Sequence, residues 1–318
     1  MKQPLIVLTG PTASGKTALS IGLAKAIGGE IISADSMQVY RQMDIGTAKI
    51  RPEEMEGIPH YLVDVLEPDA SFNVVIFQQM AREAMARIRA NGHVPIIVGG
   101  TGFYIQAILN DIDFKENEDD GYRTQLEEMA AKEDGPEKLY EMLKKVDPES
   151  AEKIHGHNTK RVIRALEYFH QTGQKISEHN EQEAQKESPY NFAYFVLNRP
   201  REILYDRIDK RVDQMMEEGL VEEVRSLKEH GYDRSLVSMQ GLGYKEILAY
   251  LDGITLEEAV YILKRDTRHF AKRQLTWFKR EREVLWIDQS QYDGKEAILT
   301  DMIHILRQKG IIDGSCII

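Results

Sequence analysis

The chain opens on a short apolar run, PLIVLT over residues 4–9, whose pattern predicts a buried strand. A glycine-rich turn follows over 10–17. ALSIGLAKAI over 18–27 then places apolar residues at helical spacing, and EIISAD over 30–35 predicts a second strand. Strand, loop, helix, strand is the start of an α/β unit with parallel strands. Further along, YLVDVL over 61–66 predicts a short strand and 74–91 a helix. VPIIV over 94–98 predicts a buried strand bounded by Gly92 and by Gly99-Gly100. FAYFVL over 192–197 has the aromatic and β-branched character of a strand, and LWID over 285–288 predicts one more. Between about 111 and 188 the texture changes to polar, charged and helical, with breaks at Gly121 and Gly135-Pro136 and no convincing strand. From 201 onward the pattern is again helical, with turns near Gly219, Gly231, Gly243 and Gly253.

Gly10-Pro11-Thr12-Ala13-Ser14-Gly15-Lys16-Thr17 fits G-x-x-x-x-G-K-[ST], between a strand and a helix as that motif requires. Loop amides and the helix N-terminus cradle phosphate oxygens, Lys16 neutralises an outer phosphate, and the Thr17 hydroxyl is a Mg²⁺ ligand. The motif specifies a polyphosphate without saying whether it is ATP or a diphosphate on another small molecule. The expected fold is therefore α/β: a P-loop NTPase-like parallel-sheet core from 1–110 and 189–318, with C-terminal helices, carrying a mostly helical insertion domain at 111–188.

Asp35 ends the second strand, on the edge that faces the ligand crevice of such sheets. It is open to three readings: a Mg²⁺ ligand, a general base or a helix cap. A carboxylate so soon after the phosphate loop favours a role toward an acceptor nucleophile. Gly99-Gly100-Thr101-Gly102 allows close backbone approach to a ligand, with Thr101 facing a phosphate or leaving-group oxygen; a plain tight turn is the alternative. Arg201, Arg207 and Arg211 fall in one helix after Pro200, with Arg207 and Arg211 on one face. There they are either solvated surface or stabilisers of a departing phosphate.

The 318 residues are 42% hydrophobic, enough for a core of this size. No apolar stretch approaches the roughly 20 residues that span a bilayer, and the N-terminal run meets a glycine loop too soon to be a signal peptide. The single cysteine, Cys316, excludes an internal disulfide framework and a multi-thiol metal set. His60, His155 and His157 show no zinc spacing. A cytoplasmic chain without membrane association is expected. The net charge of −11 argues against a general nucleic-acid coat protein. Residues 264–282, KRDTRHFAKRQLTWFKRER, depart from it, with eight Lys or Arg against two acids. This is the best nucleic-acid candidate in the chain, the alternative being an amphipathic helix that covers the sheet.

GPTASGKT, ADSMQVYRQMDIGTAK, GGTGFY, NTKRVIRALE, GLGYKEI and AKRQLTWFKR together closely resemble the bacterial tRNA dimethylallyltransferase family, also called the tRNA isopentenyltransferases. The likeness runs from residue 5 to about 288 and departs at Ile50, where the family usually has proline. The resemblance implies transfer of a dimethylallyl group from dimethylallyl diphosphate to the exocyclic amine of adenosine 37, in tRNAs reading codons that begin with U. It implies Mg²⁺ as cofactor and a helical insertion that grips the anticodon stem. By the same resemblance Asp35 is the base toward the adenine amine, and Gly10 to Thr17 form the diphosphate cradle with Thr17 on the metal. Thr101 meets the bridging oxygen, Arg207 clamps the diphosphate and Arg201 assists. Ser36, Met37 and Gln38 read the flipped base, while Thr159, Lys160, Arg161, Val162, Ile163 and Arg123 contact tRNA. A monomer is expected. The rival readings are a small-molecule or nucleotide kinase, a non-catalytic P-loop RNA binder, and an isopentenyltransferase acting on free AMP.

Overall fold

A parallel strand covered on both faces buries successive side chains on opposite sides, so it needs an unbroken apolar run. Leu5 to Leu8 meet this demand. Leu5 and Val7 enter one core, Ile6 and Leu8 the other, and all four are 0% exposed. The computed structural model describes residues 2–114 and 120–313. Six strands form one parallel sheet: β1 (Gln3–Thr9), β2 (Gly29–Ala34), β3 (His60–Tyr61), β4 (Val94–Gly99), β5 (Tyr190–Asn198) and β6 (Val284–Asp288). Their order is β3-β2-β4-β1-β5-β6. The strand expected over 61–66 stops after Tyr61, because Leu62 and Asp64 take positive φ (64° and 54°) that no ladder accommodates. A single parallel bridge, Tyr40 to Leu66, is what continues it.

The chain divides into two units, Met1–Leu109 with Pro189–Ile318, and Asn110–Ser188. In the first, α1 (Lys16–Ile27), α2 (Val74–Ala90) and α3 (Gly102–Leu109) follow β1, β3 and β4. The second holds α4 (Tyr122–Ala130), α5 (Gly135–Val146), α6 (Pro148–Lys153), α7 (Thr159–Thr172) and α8 (Ile176–Gln185) around Leu126, Leu139, Leu143 and Leu166. Back in the first unit come α9 (Arg201–Glu217), α10 (Leu220–Glu229), α11 (Tyr244–Leu251), α12 (Leu256–Phe278) and α13 (Lys295–Gln308). One core packs α2, α3 and α9 to α12 on one face of the sheet, and the other packs α1 and α13 on the opposite face. Among the described residues no helix is long and apolar enough to cross a membrane. Cys316 lies outside the described residues.

The helical unit depends on one buried acid. Asp147 is 0% exposed, and its carboxylate accepts from the Ser150 amide (3.1 Å) and hydroxyl (2.6 Å) and from the Ser177 amide (3.0 Å) and hydroxyl (2.7 Å). It thus closes the first turns of α6 and α8 together. Burial alone would raise its pKa, but the four hydrogen bonds outweigh it and hold the carboxyl below its ordinary value. Its stabilising effect is therefore whole above about pH 4 and is lost as pH falls through the lowered folded value. Asp147→Ala is expected to cost about 3 kcal/mol or more of local stability. Hydrogen exchange checks this: α6 and α8 amides should exchange on the order of 10²-fold faster, with β1 unchanged.

Candidate active site

Because all strands are parallel, the loops after them meet at one edge of the sheet. The order β2-β4-β1-β5-β6 sets Asp35, Gly100-Thr101, the phosphate loop, Arg199 and Gln289 side by side there. Gly10 and Gly15 hold φ of 152° and 91°, and Ala13 holds 60°, which wraps the loop tightly between β1 and α1.

Every carbonyl from Gly10 to Ser14 except that of Thr12 is held by a named donor. Lys16 Nζ donates to Gly10 O (3.0 Å) and Pro11 O (2.8 Å), Arg207 Nε to Ala13 O (2.9 Å), and Gln289 Nε2 to Ser14 O (2.8 Å). Arg199 in turn donates to Gln289 Oε1 at 2.6 Å. On the other side Gln274 accepts from the Thr12 amide (2.9 Å) and donates to Gly100 O (3.0 Å), tying the phosphate loop to the glycine turn after β4. A trans peptide points its N–H opposite its C=O. The donor on Ser14 O therefore turns the Gly15 amide the other way, and Gly15 lines the cavity.

That cavity measures about 740 Å³ and is lined by Thr12, Ala13, Gly15, Lys16, Thr17 and Asp35, with Arg207 and Arg211 from α9. A second, of about 340 Å³, takes Ser36, Met37, Thr101, Gln240, Lys245 and Arg273. The two share Thr12, Asp35, Thr47, Arg211, Met215 and Phe270. Asp35 thus stands where the cavity beside the loop 10–17 meets a second, adjoining one. Its Oδ1 accepts from the Met37 amide at 2.9 Å, which fixes its direction. Thr101 Oγ1 accepts from the Ser36 amide at 3.3 Å.

The charges form a set. Desolvation, with Arg211 adding to it and Asp35 opposing, pulls the Lys16 ammonium down to about 8. Arg211 is likewise lowered by burial, raised by Asp35 and lowered by Arg207. Cations crowded to this degree, with Asp35 as the facing anion, are a place for a multiply charged anion.

A family model described as IPP transferase matches residues 38–281. The chain belongs to the IPP transferase family. It is 66% identical over 312 residues to a tRNA dimethylallyltransferase of Lachnoclostridium phytofermentans, covering 98% of this chain and 99% of that protein. The tRNA dimethylallyltransferase of Carboxydothermus hydrogenoformans is 49% identical with the same coverage. Among solved structures, the full-length tRNA isopentenylpyrophosphate transferase of Bacillus halodurans gives a TM-score of 0.73 at 44% identity, covering 97% of this chain and 98% of that one. A eukaryotic dimethylallyltransferase acting on tRNA gives 0.81 at 31%, covering 99% and 82%.

Not every residue expected at the site in this family lines the cavities, and some that do are held by the protein itself. Gly10, Pro11 and Ser14 do not line the cavity; they are buried beneath it, and the Ser14 hydroxyl has no partner among the described residues. Arg201 lines neither cavity, since its guanidinium lies over the Tyr205 ring at 4.9 Å, on the first turn of α9. Gln38 spends its amide on the Thr47 and Ala48 carbonyls (3.4 and 3.3 Å) and accepts from Ser33 Oγ (3.2 Å), so it holds a wall of the site. In the helical unit Thr159, Lys160 and Arg161 open α7, with Lys160 and Arg161 exposed. Val162 and Ile163 are 0% and 4% exposed, because the helix turns their side chains into the core of that unit and away from any RNA on its surface. Arg123 is tied to Glu127 (3.0 Å) and Glu167 (3.2 Å), and Arg164 shares the same Glu167.

The basic segment is partly structural. Lys264 pairs with Asp213 and Arg268 with Asp209, which pins α12 on α9, while Arg265 pairs with Asp266 of its own helix. Phe278 is buried, Trp277 meets Phe103 at 6.2 Å, and Phe270 lines both cavities. Lys272, Arg273, Lys279 and Arg280 remain exposed. Arg211, open in the sequence to either solvated surface or phosphate stabilisation, lines both cavities, whereas Gln274, Gln289 and Arg199 are site residues that sequence reasoning missed. Arg211 carried a signal, four residues after Arg207 on the same face, and Gln274 lay inside the QLTWF block. Gln289 and Arg199 carried none, because only the sheet order brings them to the loop.

Proposed function

We propose that the chain transfers a dimethylallyl group from dimethylallyl diphosphate to N6 of adenosine 37, in tRNAs reading codons that begin with U, and releases diphosphate. The observation that carries this reading is the junction of two cavities at Asp35. One is walled by the phosphate loop and arginines; the other opens toward Ser36, Met37 and the exposed Arg273. A donor with a diphosphate head and an acceptor base each need such a space, and the reaction needs them to meet. The relatives' names support the same pair of substrates.

The extruded adenine enters beside Asp35, at an unstacking cost of a few kcal/mol. The amine nitrogen attacks the allylic carbon as its bond to the bridging oxygen breaks, and the electron pair leaves with diphosphate. The amine proton passes to the Asp35 carboxylate. Lys16, Arg207 and Arg211 stabilise the charge that builds on the leaving group, with Thr101 toward its bridging oxygen.

Magnesium fits this site by its donor set. Among the described residues no group of three or more His, Cys, Asp or Glu builds a cage. Thr17 and Asp35 line the phosphate cavity, and such a sparse oxygen set is what this ion takes when substrate phosphates complete its shell. Thr17 would hold it, and the ion would neutralise diphosphate charge. Lys160, Arg161, Lys272 and Arg273 are our candidates for phosphate contacts with the anticodon stem-loop. We place the reaction in the cytoplasm, where tRNA is used, and take the active species as a monomer.

Mass spectrometry of unmodified tRNA incubated with protein, Mg²⁺ and dimethylallyl diphosphate tests the reading. The expected result is a gain of one C5H8 unit on the adenosine beside the anticodon. An unchanged tRNA, with ATP consumed on a small acceptor, would turn the assignment to a kinase.

A further inference from the structure

We infer that Glu223 on α10 is a positioning residue for this transfer, acting through the loop 44–49 that walls both cavities. The inference rests on the proposed reaction. Asp44, Thr47, Ala48 and Lys49 line the larger cavity, and Gly46 and Thr47 the smaller. Three successive backbone amides of this loop converge on the one carboxylate. Glu223 Oε2 accepts from Asp44 N (2.9 Å) and Ile45 N (2.8 Å), and Oε1 from Gly46 N (3.1 Å). Tyr244 Oη adds a fourth donor to Oε1 at 2.7 Å. Such a nest of amides is an anion site, here filled by a side chain from nearly 180 positions away in the chain.

The packing makes this a clamp on geometry rather than on the fold. The loop is anchored at its ends without Glu223, since Met43 and Ile50 are 0% and 9% exposed in separate cores. Between those anchors the amides of 44–46 rely on the carboxylate. Tyr244 is fully buried, and a Cβ at Gly46 would lie 2.5 Å from its ring, so the loop seats directly on α11. From the other side the Gln38 amide holds the Thr47 and Ala48 carbonyls. Gln38 lies three residues after Asp35. The distance between the proposed base and the opposite wall is therefore held by Gln38 on one side and Glu223 on the other, with buried Lys49 pairing with Asp44 inside the loop.

Glu223→Gln tests this without changing shape. Each carboxylate oxygen accepts two donors, so the new amide end leaves without an acceptor either the Asp44 and Ile45 amides or the Gly46 amide, the Tyr244 hydroxyl being able to turn and accept. The expected result is exchange of the 44–46 amides about tenfold faster or more, with β1 amides unchanged. kcat/KM for tRNA should fall by about 10- to 100-fold, as small misplacements of bound reactants do. The Kd for inorganic diphosphate should stay within about twofold, because the phosphate loop does not touch Glu223. Glu223→Asp, which keeps four acceptor sites, should recover part of the lost rate. Tyr244→Phe, which removes one donor and leaves the carboxylate and three amides, should stay within about threefold of wild type. The inference is overturned if Glu223→Gln frees the amides but transfers at the wild-type rate, or if it fails to fold and Glu223→Asp fails with it. It is also overturned if diphosphate affinity falls as far as kcat/KM. A wild-type protein that modifies no tRNA sinks the proposed reaction instead, while the amide exchange still reports whether the clamp exists.

Discussion

Asp35→Asn is expected to lower kcat for tRNA prenylation by about 10²- to 10⁴-fold, the range that one well-placed general base contributes. The substitution keeps the shape of the side chain and an oxygen for the Met37 amide, which now meets Asp35 Oδ1 at 2.9 Å. What it removes is the group that takes the amine proton. It also removes the anion whose charge raises the pKa of Lys16 and Arg211. Binding of a diphosphate should therefore be unchanged or tighter while turnover collapses. Single-turnover kinetics with saturating tRNA, beside titration of inorganic diphosphate, separates the two. Loss of diphosphate affinity in step with the rate would make Asp35 part of the binding site, and a rate within about threefold of wild type would remove its role as a base.

The inner strands were readable because burial on both faces leaves little choice of residue: PLIVLT, EIISAD, VPIIV and FAYFVL each meet one, and LWID meets the edge strand, where Trp286 is exposed. YLVDVL failed as a strand because hydropathy does not report φ. Leu62 and Asp64 turn left-handed there, and Asp64 forms an ion pair with the buried Lys49. The phosphate loop and Asp35 were legible since their chemistry is carried by residue type at fixed spacing. The scaffold around them was not. Gln274 and Gln289 touch the loop from 262 and 275 residues away, and a neutral amide has no sequence signature. Val162 and Ile163 show the opposite failure. They lie in a segment that resembles an RNA-contacting one, yet only the outward positions of a helix are free to touch RNA, and these two point inward.

Lys16→Met should weaken binding of inorganic diphosphate by about 100-fold, as expected when a charge-assisted contact of about 2–3 kcal/mol is lost. It should also change the shape of the pH profile, which is the sharper test. In the free protein the Lys16 ammonium is lowered to about 8 by desolvation and by Arg211. Its ordinary value is 10.5, so between those limits the amine is neutral in the free site and charged when solvated. An incoming diphosphate favours the cation. Affinity should therefore hold below about pH 8 and fall as pH rises through it, by at most about tenfold per unit, with one proton taken up on binding. Subtracting the Lys16→Met profile removes the ligand's own titration and leaves this limb. The neighbours shift it in opposite directions. Arg211→Gln removes a cation that lowers Lys16, so the limb moves to higher pH. Asp35→Asn removes the anion that raises it, so the limb moves lower. Opposed shifts of this kind would place Lys16, Arg211 and Asp35 in one electrostatic unit around the diphosphate. A limb that ignores both substitutions would mean that Lys16 meets the ligand alone.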